Sequence, residues 1–539
     1  MASTSSAAAE PDGTFEEIEQ VNNEQVEETL VGKEPGAKNP NESLFAAESF
    51  EDLSNEAVGK LDGECSARTL SVGSRGELEA SAELETSSET NETQPSQQKV
   101  DESKAPETLD EVRMKRAESI QERQSSIEDM NDPVWKGHKK HVFILSEAGK
   151  PIYTRYGNEE NLVTMMGLMQ AIVSFVQDNK DSIKCVSAGN HKFVFLVRGP
   201  LILVVVSSSK DSQTQLNVQL TYVYHQVLSV LTFTQLTRIF EHRRNYDLRK
   251  LLSGTERFID NLLNLMSHDP SYLLTAVRCL PLPSNIRDHI SQALQSPKSK
   301  ELLFAILVVD NQLVTMVRPK KISLHPSDLY LIFNLVSGST SFHTAESWTP
   351  ICLPRFDNSG YLYAHVSYLE DDCPACLLLM STDRNAFFEL SDCKAKILEK
   401  MQKYNCLQLL TSAAKKGNYK TEQVGISELW HFIYKSRSSS QFTSPQVGAP
   451  YNTADEKERL FGLYLHLHDR MHSISRPLKM LCYTTPKEML LGWVSPAFEL
   501  YAAFTPLTSK ATAMNAITRL LRWIKNEEDV LFISNSHFF

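Results

Sequence analysis

His141-Val-Phe-Ile-Leu-Ser-Glu-Ala-Gly-Lys-Pro-Ile-Tyr-Thr-Arg155 reads as two short apolar strands folded back on each other, with Glu147 to Lys150 at the reversal and Gly149 free to adopt the turn conformation. Directly after it, Asn161 to Phe175 places Leu162, Met165, Met166, Met169, Ile172 and Val173 at spacings of three and four, the pattern of a helix with one buried face. Three further strand-like runs follow: Ile183 to Val186, Lys192 to Val197 and Leu201 to Ser207. The last is apolar on both faces, as a central strand should be.

The unit recurs. Leu302 to Val309 turns at Asp310-Asn311 and returns through Leu313 to Val317, and a helix starting at His325-Pro326-Ser327-Asp328 runs toward Val336. Its first turn carries Pro and Asp, where a missing amide donor and a negative charge are both favourable. In a third copy the pattern predicts the helix first, Lys457 to His472, then Lys479 to Thr484, a turn at Thr485-Pro486, and Glu488 to Val494. The copies share pattern rather than residue identity. The expected fold class is α/β (α+β): mainly antiparallel sheets flanked by helices.

Of 539 residues, the first hundred hold 22 of the 67 acidic side chains and 6 of the 55 basic ones, a balance of -16, which leaves the remainder at +4. That segment has only Phe15, Phe45 and Phe50 as aromatics and cannot bury enough apolar area to offset chain entropy. The expected organisation is a disordered acidic regulatory tail over 1–135, domains over 138–260, 299–418 and 419–539, and a helical connector over 261–298. The chain lacks a run of about twenty apolar residues and a signal-peptide pattern, which predicts a cytoplasmic protein or one bound to a membrane from outside. Nine cysteines without a repeating frame fit reduced, mostly buried thiols.

Few constellations point to covalent chemistry. Cys373-Pro374-Ala375-Cys376 has zinc half-site spacing, but no second C-x-x-C answers it and it enters the apolar run Leu377 to Met380, so it reads as two structural cysteines at the start of a strand. His466, His468, Asp469 and His472 lie close together; only His468 with His472 has the spacing for one helical face, and no third ligand is evident, so solvated or partner-facing histidines are the expectation. Phosphate-cradling glycine loops and a nucleophile elbow are missing from the sequence. No cofactor and no metal is expected. Basic residues cluster at Arg318, Lys320 and Lys321, at Arg243, Arg244, Arg249 and Lys250, and at Lys415 and Lys416. A solvated surface is their ordinary role; anionic lipid headgroups are the alternative, and nucleic acid is disfavoured because stacking aromatics are not interleaved with them. In the tail, Ser119, Ser125 and Ser126 stand near Arg116 and Arg123 and are candidate phosphorylation sites.

Lys140 to Tyr153, Asn245-Tyr-Asp-Leu-Arg249, Leu251-Leu-Ser-Gly254, Ala345-Glu-Ser-Trp-Thr-Pro-Ile-Cys-Leu-Pro-Arg355, Gln441-Phe-Thr-Ser-Pro445 and Leu521-Arg-Trp-Ile-Lys-Asn-Glu-Glu-Asp529 together resemble the Mon-one family of vacuolar fusion proteins, over about residues 138 to 535. The resemblance implies three longin-type domains and a stable heterodimer with a Ccz-one-type longin subunit, with room for a third subunit. It also implies recruitment to endosomal and lysosomal (vacuolar) membranes through an anionic phosphoinositide surface, where the pair acts as guanine nucleotide exchange factor for a Rab-seven-type GTPase. In that reading the chain performs no covalent catalysis. The first domain would carry binding, through Asn161, Thr164 and Gln170 on its first helix and through Tyr246, Asp247 and Arg249, with Trp348 as a second candidate. Arg318, Lys320 and Lys321 would meet lipid. The alternative is a non-catalytic longin-domain scaffold or tether, which the fold alone does not separate from an exchange factor.

Overall fold

The computed structural model describes residues 14–17, 132–157, 162–297, 299–339, 342, 345–370, 373–535 and 537–539. Most of the acidic tail therefore lies outside the described residues, and so do Ser119, Ser125, Ser126 and Asn161. Two short elements fall within 1–137: strand β1 (Thr14–Glu17) and a one-turn helix, α1 (Pro133–Gly137), capped by Asp132.

The first domain follows its sequence pattern closely. Strands β2 (Lys140–Ser146) and β3 (Pro151–Thr154) form the hairpin, helix α2 (Val163–Asp178) follows, and β4 (Cys185–Ala188), β5 (His191–Arg198) and β6 (Leu201–Ser207) complete an antiparallel sheet in the order β3-β2-β6-β5-β4. Alternation sends Phe143, Leu145, Phe195, Ile202 and Val204 to the α2 face. Val142, Ile144, Leu203 and Val205 point to the other face, under α3 (Gln213–Val230). Helix α3 starts on a reciprocal capping box between Ser212 and Gln215, which satisfies two amide donors that the first turn would otherwise leave unpaired.

Short helices α4 (Phe233–His242), α5 (Arg249–Leu252), α6 (Glu256–Met266) and α7 (Pro270–Leu274), strand β7 (Val277–Arg278) and helix α8 (Ser284–Leu294) lead to the second domain. The connector is thus helical apart from β7. The second domain is β8 (Phe304–Val309), β9 (Gln312–Arg318), α9 (Pro326–Ser337), β10 (Ser347–Leu353), β11 (Asp357–Glu370), β12 (Cys373–Ser381), α10 (Phe387–Lys403) and α11 (Cys406–Lys416). Its hairpin turns on Asp310 and Asn311, both at positive φ (46° and 61°), the conformation a tight hairpin needs.

The third domain corrects the expected element order. It begins with a hairpin, β13 (Leu429–Ser436) and β14 (Gln441–Thr443), before α12 (Ala454–Met471), β15 (Met480–Thr484), β16 (Met489–Val494), β17 (Phe498–Phe504), α13 (Lys510–Asn526), α14 (Glu528–Leu531) and β18 (His537–Phe538). The hairpin is hidden in the sequence because β14 has only three residues and follows the polar turn Arg437-Ser-Ser-Ser440. All three sheets then share one strand order: second, first, fifth, fourth, third.

Short strands extend the sheets beyond this common frame. Strand β1 pairs with the edge strand β15 through backbone groups that β15 would otherwise present to solvent. Strand β7 pairs with β14, and the adjacent Cys279 bridges to Leu313 of β9, so one short segment stitches the second and third domains together. The first and second domains share one continuous apolar core, in which α3, α6 and α9 fill the space between two sheets. Its polar centre is Asn334. The amide donates to Gln226 Oε1 (2.7 Å) and to the Phe258 carbonyl (2.8 Å) and accepts from Asn261 (2.7 Å), so a buried amide is satisfied only when the domains are docked.

These interiors set an acid limit on stability. Burial pushes the His225 and His431 imidazoles down to about 3, and pushes the Asp328 carboxyl up to about 7. Each histidine is protonated in the unfolded chain below about pH 6.5 but not in the folded one, so its contribution is complete above that pH and is lost as pH falls. Asp328 acts oppositely, binding its proton in the folded chain first. The unfolded chain therefore holds about one more proton between pH 6.5 and 4, which lowers stability by about 1.4 kcal/mol per pH unit. His141 and His325 are shifted the same way as the other histidines, so this is a floor. Urea midpoints measured at pH 7, 6 and 5 should fall progressively; a constant midpoint would refute the account.

Candidate partner-docking surface

Helix α2 is apolar nearly all the way round, a composition that ordinarily belongs to a helix covered on every side. Here only one side is covered: Met166, Met169 and Val173 are buried against the sheet. On the outer side Leu168 and Phe175 are 63% and 72% exposed, with Val163 46% exposed. Thr164, Leu168, Ala171 and Phe175 follow one another at spacings of four, three and four, so they form a single exposed stripe. On β4, the end strand of the sheet, Val186 is 37% exposed and stands opposite Phe193, so it faces the same side of the sheet as α2. No strand pairs with the outer edge of β4 among the described residues.

The hairpin turn at one end of the sheet gathers several of the candidate residues. Gln170 donates to the Glu147 carbonyl (3.3 Å) and to Ser174 Oγ (2.8 Å), and Lys150 Nζ donates to the Asn245 carbonyl (2.7 Å). This draws the Tyr246-Asp247 segment to the turn. Tyr246 is half-buried against the core. Asp247 accepts from the Arg249 backbone (3.2 Å) and from its guanidinium (3.1 and 2.9 Å), bonds that hold the Asp247 carboxyl below its ordinary value. Asp247 thus holds the first residue of α5 by both its amide and its guanidinium, one position before the N-cap Leu248. Gln170 and the segment at 245–249 share the turn, whereas Thr164 lies on the outer stripe.

The remaining candidates are dispersed. Trp348 is half-buried at the start of β10, its indole N–H donating to the Arg384 carbonyl (3.0 Å) and its ring packed on Tyr363 and Phe387. Arg318 must be withdrawn from the basic set: its guanidinium is buried, donates to the Pro319 and Ile322 carbonyls and lies over the Phe538 ring. It is held by the end of β9 and the C-terminal strand and cannot reach a headgroup. Lys320 and Lys321 are exposed. Cys373 and Cys376 are buried free thiols at the start of β12, as the strand reading expects. The described residues include one trio spaced for a metal ion, His468, His472 and Glu499, in the third domain. No described helix is long and apolar enough to cross a membrane.

Sequence reasoning missed Leu168, Phe175 and Val186. The signal was present: the periodicity that selects the buried face of α2 leaves Leu168 and Phe175 as large apolar residues off that face.

Comparison with known proteins adds to this geometry. Models of the first, second and third longin domains of FUZ, MON1 and HPS1 match residues 140–262, 300–399 and 428–528. The vacuolar fusion protein MON1 homolog A of Gallus gallus is 52% identical over 406 residues, which cover 75% of this chain and 74% of that protein. Protein SAND of Takifugu rubripes is 45% identical over 504 residues, 94% of this chain and 92% of its own length. MON1 homolog B of Mus musculus is 43% identical over 425 residues, covering 75% and 76%.

Proposed function

Since the chain belongs to the MON1 family of longin-domain proteins, we propose that it is one subunit of a heterodimeric guanine nucleotide exchange factor acting in vacuolar or lysosomal fusion. The observation that carries this reading is the exposed Leu168 and Phe175 stripe, on the same side of the sheet as Val186 of β4, whose outer edge is unpaired among the described residues. A helix and a sheet edge presented together suit a second domain of the same build, and the proposed partner is a Ccz-one-type longin subunit docked there. The GTPase, of Rab-seven type, would then contact the paired first domains near the hairpin turn, where Gln170, Tyr246 and Asp247 converge.

The chemistry asked of this chain is binding alone. An exchange factor that holds the nucleotide-free GTPase more tightly than the loaded form must weaken nucleotide binding by the same factor. Nucleotide and magnesium belong to the GTPase. Lys320 and Lys321 remain the residues proposed to face an anionic phosphoinositide membrane, at about 1 kcal/mol per basic residue near the surface. Phosphorylation at Ser119, Ser125 or Ser126 would add charge to a tail that is already acidic.

Release of a fluorescent GDP analogue from the GTPase, measured with this chain alone, with the partner alone and with the two co-purified, tests the reading. Acceleration by the pair only, by about 100-fold or more, is expected, equivalent to about 2.7 kcal/mol off the barrier to release. No acceleration, even on anionic liposomes, would leave a scaffold or tether.

A further inference from the structure

His468 and His472 occupy the last turn of α12 and the position that ends it, four residues apart and so on one helical face, with ring centroids 4.3 Å apart. Taken as a pair they form no metal site. The strand facing them supplies what the helix lacks: Glu499 and Tyr501, two residues apart on β17, project to the same side of the sheet. His472 Nε2 is 3.3 Å from Glu499 Oε2 and 3.3 Å from the Tyr501 hydroxyl, and that hydroxyl is 3.4 Å from the same Oε2. A tetrahedral ion with bonds of about 2.0–2.1 Å spaces its ligands by about 3.4 Å, so this triangle already has the edge lengths of one face of such a site. The ligand atoms of His468, His472 and Glu499 all lie within 4.8 Å of one another.

We propose that His468, His472 and Glu499 bind a divalent zinc-class cation, with the Tyr501 hydroxyl or a water in the fourth position. The two oxygens of Glu499 have different duties. Oε1 faces Lys435 (3.1 Å) and Arg437 (3.8 Å), which fix the carboxylate as outer-shell groups do in metal sites. Oε2 faces the donors. The same two cations oppose a third positive charge, so the site binds less tightly than one with an unpaired carboxylate. The C-terminal end of α12 adds a partial negative charge that favours a cation. The ion would tie the end of α12 to β17 and stiffen the third domain, away from the docking surface on the first.

The test uses the full chain, freed of metal by chelation and titrated with Zn²⁺ alone by calorimetry and with Co²⁺ by visible absorption. One equivalent of Zn²⁺ and a tetrahedral Co²⁺ spectrum without a thiolate charge-transfer band are expected. His472→Gln, whose side chain is 24% exposed and tolerates change better than buried His468, should weaken Zn²⁺ by at least ten-fold with unchanged circular dichroism. Absence of stoichiometric uptake, uptake unaltered by His472→Gln, or a thiolate band from one of the free cysteines would overturn the assignment.

Discussion

Aspartate at both Leu168 and Phe175 is expected to abolish pairing with the partner subunit while leaving this chain folded. The two side chains are 63% and 72% exposed, so the monomer loses little by their replacement. In a docked complex each apolar side chain would contribute about 1.5–3 kcal/mol on burial, and an aspartate in its place adds the cost of desolvating a charge. Together the changes cost on the order of 5 kcal/mol, or roughly a thousand-fold or more in affinity. Gel filtration of co-expressed subunits should show two separate species, and GDP release should fall to the unassisted rate. Circular dichroism and the melting temperature should match those of the parent protein. Met166→Asp on the buried side of the same helix should instead unfold the first domain. A double variant that still co-purifies in stoichiometric amount would remove the docking surface from α2.

The contrast between the two sides of α2 shows what the sequence makes legible. Its buried face was readable from spacing, because Met166, Met169 and Val173 must meet the sheet wherever the sheet lies. The exposed stripe is defined only by what fails to cover it, and that depends on where α1, β4 and the second domain sit. In the sequence Thr164 and Gln170 read as exposed positions of the first helix. Thr164 does lie on the stripe, but Gln170 is spent on the hairpin turn. Arg318 failed for a related reason: as a basic residue at a strand end it resembles Lys320 and Lys321, and only the distant strand β18, parallel to β9, closes over it.

Tertiary pairing also explains the third domain. Its first hairpin is nearly invisible because β14 is three residues long, yet β14 is secured on both sides, by β13 and by β7 from a segment more than 160 residues earlier. The His468 and His472 pair was legible from its spacing. Glu499 was not, since no periodicity connects a helix end to a strand that begins some 26 residues later.

A large loss of stability is expected at Arg287, which has no carboxylate bonded to it among the described residues yet is buried in α8. Its guanidinium donates to the carbonyls of Val314 (2.5 Å), Leu280 (3.0 Å) and Val530 (3.2 Å), one each from β9, the segment after β7 and the end of the third domain. Those carbonyls are what make burying the cation tolerable, and burial pulls its pKa down from the ordinary arginine value. Arg287→Ala removes all three hydrogen bonds at once and opens a cavity; the Val530 carbonyl keeps its bond from the Leu282 amide, and with each acceptor left unsatisfied costing about 1–3 kcal/mol, partly offset by relief of the buried charge, the net loss should be about 2–4 kcal/mol. Arg287→Lys keeps the charge but lacks the planar fork that reaches three acceptors, so it should recover only part of that loss. Because Leu282 donates to the same Val530 carbonyl, hydrogen exchange at the Leu282 amide should rise in both variants, reporting that the third domain has loosened from the connector. A denaturation free energy within 1 kcal/mol of the parent for Arg287→Ala would mean that water replaces the guanidinium at this three-way junction and that the domains are held by their apolar contacts and strand pairings instead.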